Sequence, residues 1–339
     1  MLNERGPARV SAIIPTFNAA RFLAETFRSV LGGVNKPREI IVADDASTDE
    51  TPEIVQQFSR ESDIPIRLLR MSQNSGGPAG PMNAGIEAAS GDYLALLDQD
   101  DLMLPDKLQR QADVLDTHQD IELVLADYAR FDERGVWENS GANAKAGSWH
   151  SAVCQGVAGV TLVEPLTALT AFAHAPGLHG GCSNMMFRRS LWEQTGGFRA
   201  QAGPAADYDF LFRAVRCPIA WIDQVLFLRR EHARNLSRRD ASTELIGHRV
   251  VEQWLSTEAR RLPEDLVSSI RNAWTARLVM AARSARRRRD WTSYWQLRER
   301  LSQSGTPESR VVTDERIYPR WAYRAKDWLG KRLRRPMKT

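Results

Sequence analysis

The sequence contains no apolar run approaching the roughly 18 uninterrupted residues that a membrane-spanning helix requires, which excludes a chain that crosses a bilayer by itself. Residues 1–9 are polar and lead straight into a strand-like run. They have neither the apolar stretch nor the small-residue cleavage site of a secretory signal, so the expected compartment is the cytoplasm. Cysteine is scarce. Cys154, Cys182 and Cys217 are widely spaced and odd in number, which fits buried thiols better than a disulfide framework or a zinc site. Internal repeats are absent, and no dinucleotide fingerprint follows the first strand-like run. What is present is an ordinary globular composition in 339 residues, long enough for one large α/β domain with a smaller appendage.

Charge is unevenly spread. Residues 316–339 carry nine Lys or Arg against one Asp, so the formal net charge of +4 conceals a basic tail and a mildly acidic body. That balance argues against nucleic acid as a partner of the body. In the tail, Trp321, Tyr323 and Trp328 alternate with positive charges, the composition of an interfacial helix drawn to anionic lipid. A peripheral location on the inner face of the plasma membrane is therefore expected, with a solvated helix packed on the protein as the alternative.

From Val10 to Asp127, short β-branched runs alternate with longer amphipathic stretches, the pattern of βα units on a mainly parallel sheet flanked by helices. Strands are expected at 10–14, 39–43, 66–69, 93–97 and 123–126, with helices at 22–31, 52–59, 81–89 and 105–118. Ser47, Thr48 and Asp49 are placed to cap the second helix, and Pro52, Pro81 and Pro105 suit first-turn positions. Residues 132–180, rich in Gly, Ala, Ser and His, read as a long irregular insertion. Regular structure is expected to resume at 183–187, 206–216 and 220–228. After about Asp240 the apolar spacing becomes helical, through Val251, Trp254, Leu255, Trp274 and Leu278.

Ligands of open parallel sheets bind beyond the carboxyl ends of the strands. Those positions are acidic here: Asp44 and Asp45 follow the second strand, and Asp98, Gln99, Asp100 and Asp101 follow the fourth. Converging carboxylates repel one another unless a hard cation or hydrogen-bond donors compensate, and Asp-x-Asp offers oxygen ligands to Mg²⁺ or Mn²⁺. Asp101 has a structural alternative as the N-cap of the next helix. Gly76, Gly77 and Gly80 before a helix offer either backbone amides to a phosphate or simply a flexible loop.

The runs VSAIIPTFNAARFLAETFRSVL, IIVADDASTDET and LALLDQDDLMLPDKL, followed by SNMMFRRSLWEQTGGF and ADYDFLFRAVR, resemble the family 2 glycosyltransferases over roughly residues 9 to 235. The resemblance implies an α/β GT-A nucleotide-diphospho-sugar transferase fold at 1–235, with a helical extension at 236–339. It further implies an inverting transfer from a nucleoside-diphosphate sugar, a UDP-sugar favoured, to a hydroxyl of a glycan or lipid-linked acceptor. On matching positions, Pro15, Thr16, Phe17 and Asn18 frame the nucleobase, Asp45 accepts its imide hydrogen, and Asn83 and Asp98 complete the nucleotide site, Asp98 near the ribose. Asp100 takes the metal, Mn²⁺ or Mg²⁺, with His232 as a further ligand and Arg229, Arg230 and Arg234 near the diphosphate. Asp207 is the base that deprotonates the acceptor. Gly181, Cys182, Ser183 and Asn184 line the sugar and acceptor side. His174 and His179 have no metal or helical spacing and receive no role.

Two positions depart from the family pattern: Ala206 replaces a usual Glu, and Met82 stands where an arginine often precedes the asparagine. Both are compatible with a rival reading, a non-catalytic nucleotide-sugar or glycan-binding assembly partner. A sugar-nucleotide pyrophosphorylase is disfavoured because IIPTFNAARF lacks a Gly-rich basic first loop.

Overall fold

A computed structural model describes residues 9–138, 159–175, 177–233, 235 and 241–304. The chain divides into two compact units, Met1–Leu236 and Ser237–Thr339. The first begins with β1 (Val10–Thr16), α1 (Leu23–Leu31), β2 (Glu39–Asp44), α2 (Thr51–Glu61), β3 (Ile66–Arg70), α3 (Ala79–Ala88) and β4 (Tyr93–Leu96). It continues through β5 (Leu102–Met103), α4 (Lys107–Thr117), β6 (Leu123–Asp132), β7 (Gly135–Glu138), β8 (Val160–Val163) and α5 (Pro165–His174). It closes with β9 (Met186–Arg188), α6 (Arg189–Thr195), α7 (Ala206–Ala214) and β10 (Ile219–Arg230).

Every residue of β1 and β2 is buried, as near-continuous apolar runs require of strands covered on both faces. On α1, Leu23, Thr26, Phe27 and Val30 are spaced by three, one and three residues and form the buried stripe, which joins Ile14, Val42, Leu97, Leu108 and Leu115 in one core. Pro52 lies in the first turn of α2, and Asp49 accepts from the amides of Thr51 at 3.1 Å and Ala20 at 3.0 Å. One carboxylate thus serves the start of α2 and the loop after β1 together.

The sheet order is β3-β2-β1-β4-β9-β6-β10-β5, with β7 on β6 and β8 on β10. Through β3, β2, β1 and β4 the pairing is parallel. β9 then enters antiparallel to both β4 and β6, making the whole sheet mixed. This arrangement sends the ends of β1, β2 and β4 toward the same edge.

The expected irregular insertion at 132–180 is a correction, because β7, β8 and α5 lie inside it. In α5, Pro165 occupies the first turn, and Ala168, Leu169, Phe172 and Ala173 form a buried helical stripe that the small-residue composition obscures. Residues 139–158, with Cys154, lie outside the described residues. Cys182 and Cys217 are free thiols, the former buried.

The second unit contains α8 (Ala241–Glu258), α9 (Glu264–Arg287) and α10 (Trp291–Gln303), whose core includes Leu278, Ala282, Tyr294, Leu297 and Leu301. Arg277 forks onto Glu244 with contacts of 2.9 and 3.0 Å, pinning α9 to α8. The basic tail, including Trp321, Tyr323 and Trp328, lies outside the described residues. No described helix is long and apolar enough to cross a membrane.

Candidate active site

The turns after β1, β2 and β4 are bound together by side chains. Pro15 and Thr16 are strand residues paired with Ala43 and Asp44. Thr16 Oγ1 donates to the fully buried Asp44 at 3.1 Å, and the Ser47 amide donates to the other Asp44 oxygen at 3.1 Å. Asp44 therefore builds the turn. Asn18, at φ +49°, accepts from the Thr48 amide at 2.9 Å and donates its own amide to Ser47 Oγ at 2.8 Å. Phe17 differs from its neighbours: the residue is 45% exposed while its backbone is bracketed by Gln99, which accepts from its amide at 2.7 Å and donates to its carbonyl at 3.3 Å. The result is an apolar face held at the edge of the acidic turn.

Asp45 is 3% exposed and accepts from the amide and hydroxyl of Ser75, at 2.8 and 3.0 Å. It thereby anchors the loop carrying Gly76 and Gly77 ahead of α3. Asn83, expected at the nucleotide, is committed within the protein instead. Its Oδ1 accepts from the Phe198 amide at 2.9 Å and Trp192 Nε1 at 3.1 Å, and its Nδ2 donates to the Phe198 carbonyl at 2.8 Å. A Cβ at Gly197, φ +72°, would stand 2.8 Å from that Asn83 oxygen, so glycine is required beside this clamp. Met82 is buried with its sulfur 3.6 Å from Cys182 Sγ; the position where the family often carries arginine is apolar core here.

The acidic turn after β4 is fastened from two sides. Ser183 Oγ accepts from the Asp98 amide at 2.9 Å and donates to Asp101 Oδ2 at 2.6 Å, while Asp101 Oδ1 accepts from the Arg230 amide at 2.9 Å. Asp101 is thus the internal fastener of the turn and not a helix cap; α4 starts after Asp106 without a side-chain cap. Burial, then the charges of Asp100 and Asp98, push the Asp101 carboxyl well above the usual carboxylate range. Asp98 is pushed up to about 7 by burial and by the neighbouring carboxylates of Asp100 and Asp207.

Three arginines were expected to face a diphosphate. Arg230 is instead a strut: it donates to the Asp100 carbonyl at 2.8 Å and to Glu25 at 2.8 Å, and its guanidinium lies 4.7 Å over Phe22 and 4.4 Å over Phe131. Arg229 sits among the acids. Burial opposes its charge, but Asp101, Tyr128, Glu231 and Asp98 more than offset this and raise its pKa. Arg234 lies outside the described residues.

Asp100 faces a different partner, His232 Nε2, at 2.7 Å. The imidazole packs on the Phe22 ring, 4.8 Å between centroids. Among the described residues no three His, Cys, Asp or Glu side chains form a metal cage. A carboxylate plus an imidazole nonetheless fits Mn²⁺ or Mg²⁺ of the kind completed by phosphate oxygens and water, since such cations are commonly held by one or two protein ligands and a substrate diphosphate.

Asp207 opens α7 with its side chain 21% exposed, whereas Ala206 is buried in the core. Asp209, two residues on, forms an internal pair with Arg213, whose Nη2 also donates to the Gly197 carbonyl at 2.7 Å. The Asp207 charge reaches the acidic turn, where it joins that of Asp100 in raising Asp98. Beside it lies a residue that spacing along the sequence passed over: His179 Nε2 is 3.7 Å from Asp207 Oδ2. The signal for it was the following Gly180-Gly181 pair, whose φ values of +73° and +98° let the chain turn tightly beneath Tyr128, Phe227 and Asp98.

A sequence model described as glycosyl transferase family 2 matches residues 11–195, more than half of the chain. The chain belongs to this family. Among family 2 proteins it resembles the poly(ribitol-phosphate) beta-N-acetylglucosaminyltransferase TarS of Staphylococcus aureus, with 30% identity over 120 residues, 34% of this chain and 20% of that protein. It also resembles glycosyltransferase GlyG of Streptococcus pneumoniae, with 31% identity over 124 residues, 37% of this chain and 40% of that one. The chain spans from 19% to 46% of the length of the first four curated relatives it matches. In three dimensions it resembles S. aureus TarS 1–349 in complex with UDP-GlcNAc, at TM-score 0.59 and 17% identity, covering 87% of this chain and 92% of that one. The mannosyltransferase PcManGT from Pyrobaculum calidifontis, in complex with GDP-Man and Mn²⁺, aligns at TM-score 0.54 and 18% identity over 97% and 89% of the two chains. The family 2 chain thus has the GT-A fold, with its central mixed sheet and helical C-terminal region.

Proposed function

We propose that the protein is an inverting glycosyltransferase. It moves a sugar from a nucleoside-diphosphate sugar, with UDP as the favoured nucleotide, to a hydroxyl of a glycan or lipid-linked acceptor in cell-surface polysaccharide synthesis. The observation that carries this reading is the convergence of Asp98, Asp100 and Asp207: the first is close enough to both others for each to raise its proton affinity. An acidic floor with a separate carboxylate at its border suits a donor diphosphate on one side and an acceptor hydroxyl on the other.

In this reading Phe17 offers its exposed ring to the base, and Asp45 has unused lone pairs for an imide hydrogen beyond those that meet Ser75. Asp98 takes the ribose side. Asp100 and His232 would hold the cation, which when bound neutralises charge on the departing diphosphate. Asp207 accepts the acceptor hydroxyl proton as the hydroxyl oxygen bonds to the anomeric carbon. The bond from that carbon to the diphosphate oxygen breaks, and the configuration inverts. The transferase machinery is assigned to residues 1–235 and an accessory role, including membrane attachment through the basic tail, to 236–339.

The test is isothermal titration of the full chain with a panel of nucleoside diphosphates, in Mn²⁺ and in chelator. Binding of one nucleotide that depends on Mn²⁺ supports the reading and names the donor class. No binding in either condition overturns it and favours the assembly-partner role.

A further inference from the structure

We propose that His179 is a positioning residue for Asp207, donating a hydrogen bond from Nε2 to the carboxylate and fixing the direction in which it meets the acceptor hydroxyl. The proposal rests on the role given to Asp207 above.

Four observations converge on it. His179 is 2% exposed, and among the described residues its Nε2 has no hydrogen-bond partner. Buried polar nitrogens rarely remain unmatched. The tautomer is set by the neighbouring chain: Nδ1 accepts from the Gly181 amide at 3.0 Å, which leaves the proton of a neutral imidazole on Nε2. Neutrality is favoured because burial lowers the His179 pKa and Arg229 adds to the effect, against the opposing influence of Asp207. The ring is packed between aromatic side chains: Tyr208 lies edge-on at 4.6 Å between centroids and Phe172 at 6.2 Å, with Asp207 Oδ2 at 3.7 Å from Nε2.

The remaining separation of 3.7 Å is too long for a hydrogen bond and short enough to close by rotation of the Asp207 side chain. Asp207 Oδ1 already accepts from the Tyr208 amide at 2.8 Å. With His179 engaged, each carboxylate oxygen has one protein donor and keeps a lone pair for the proton it is to receive.

The experiment compares wild type, His179→Phe, His179→Gln and Asp207→Asn as full-length proteins in Mg²⁺. Glutamine carries an amide nitrogen near the place of Nε2; phenylalanine fills the space without a donor. Turnover is followed as UDP release from UDP-GlcNAc, with water in the place of the acceptor hydroxyl, and UDP affinity by titration calorimetry. Expected in His179→Phe is turnover lowered roughly 10- to 100-fold. UDP affinity should be unchanged, and His179→Gln should recover most of the lost turnover. Wild-type turnover in His179→Phe overturns the proposal, as does equal impairment of the Phe and Gln variants. If Phe does not fold, His179→Met supplies the apolar comparison. Full UDP release by Asp207→Asn would instead remove the base assignment, whereas a loss in Asp207→Asn with none in His179→Phe removes only the positioning role, so the two failures are distinguishable.

Discussion

His232 Nε2 lies 2.7 Å from the Asp100 carboxylate, joining two residues 132 positions apart in the chain. The contact is a hydrogen bond that a cation would replace, because neutral imidazole and carboxylate both offer lone pairs to Mn²⁺. Nucleotide binding is therefore expected to require Mn²⁺ or Mg²⁺ in wild type. Asp100→Ala should abolish the metal dependence and His232→Ala should weaken binding at least about tenfold, near 1.4 kcal/mol. Titration calorimetry with and without chelator measures both. Metal-dependent binding unchanged in Asp100→Ala would reject the assignment.

Asp207→Asn preserves shape and removes the carboxylate proposed as proton acceptor. Turnover should fall by about 10²- to 10⁴-fold, while the Kd for the nucleoside diphosphate stays within about twofold of wild type, far below the tenfold that corresponds to 1.4 kcal/mol. Steady-state kinetics together with calorimetry decide the matter. A parallel loss of nucleotide affinity would place Asp207 in the donor site.

Gly197→Ala should destabilise the first unit without touching the acidic turn. The substitution forces a left-handed backbone onto an L side chain and drives a methyl against Asn83 Oδ1 and Trp192 Nε1, at 2.8 and 2.9 Å. Backbone strain and loss of one clamp hydrogen bond together give roughly 2–3 kcal/mol. Thermal unfolding should show a lower Tm, by about 2–4 °C for each kcal/mol in a unit of this size. A Tm at or above that of wild type contradicts the clamp.

The second unit should lose stability in mild acid through His248. Burial first, and then the Arg300 charge, lower its pKa to about 4, and Arg300 Nε donates to its Nδ1 at 3.3 Å. The unfolded chain, with an ordinary histidine near 6.5, binds a proton that the folded unit refuses. Stability contributed by neutral His248 is complete above about 6.5 and is lost as pH falls toward 4, on the order of 3 kcal/mol in all. Denaturant unfolding followed by α-helical signal at pH 7 and pH 4.5 should show this loss in wild type and less of it in His248→Gln. Equal losses in both proteins would assign the acid sensitivity elsewhere.

The parallel half of the sheet is legible because β1, β2 and β4 are largely apolar runs, with Asp44 and Asp45 at the end of β2 and the Asp98–Asp101 cluster after β4. The β8 and α5 segment is less so, since its buried stripe of Ala168, Leu169, Phe172 and Ala173 sits in a composition typical of loops. Spacing brings out the acids but not the division of labour among them: Asp44, Asp101 and Asp209 are internal fasteners, and that depends on partners such as Ser47, Ser183 and Arg213 that only the fold brings near. Asn83 and Arg230 match positions associated with ligands, yet their polar atoms meet Phe198, Trp192 and Glu25. His179 has the opposite history, being unremarkable by spacing and adjacent to Asp207 only after the Gly180-Gly181 turn.

β9 has a bearing on how the protein matures. It is three residues long, pairs with β4 and β6 at once, and supplies the link between the parallel strands and the rest of the sheet. Ser183, which binds the Asp98 amide and the Asp101 carboxylate from 85 and 82 residues away, lies three positions before β9. Such pairings, like that of β1 with β4, are non-local and slower to form than contacts within one βα unit. Ser183 and β9 lie on one short segment, so a chain that has not yet placed this segment has neither the bridge across the sheet nor the fastened acidic turn.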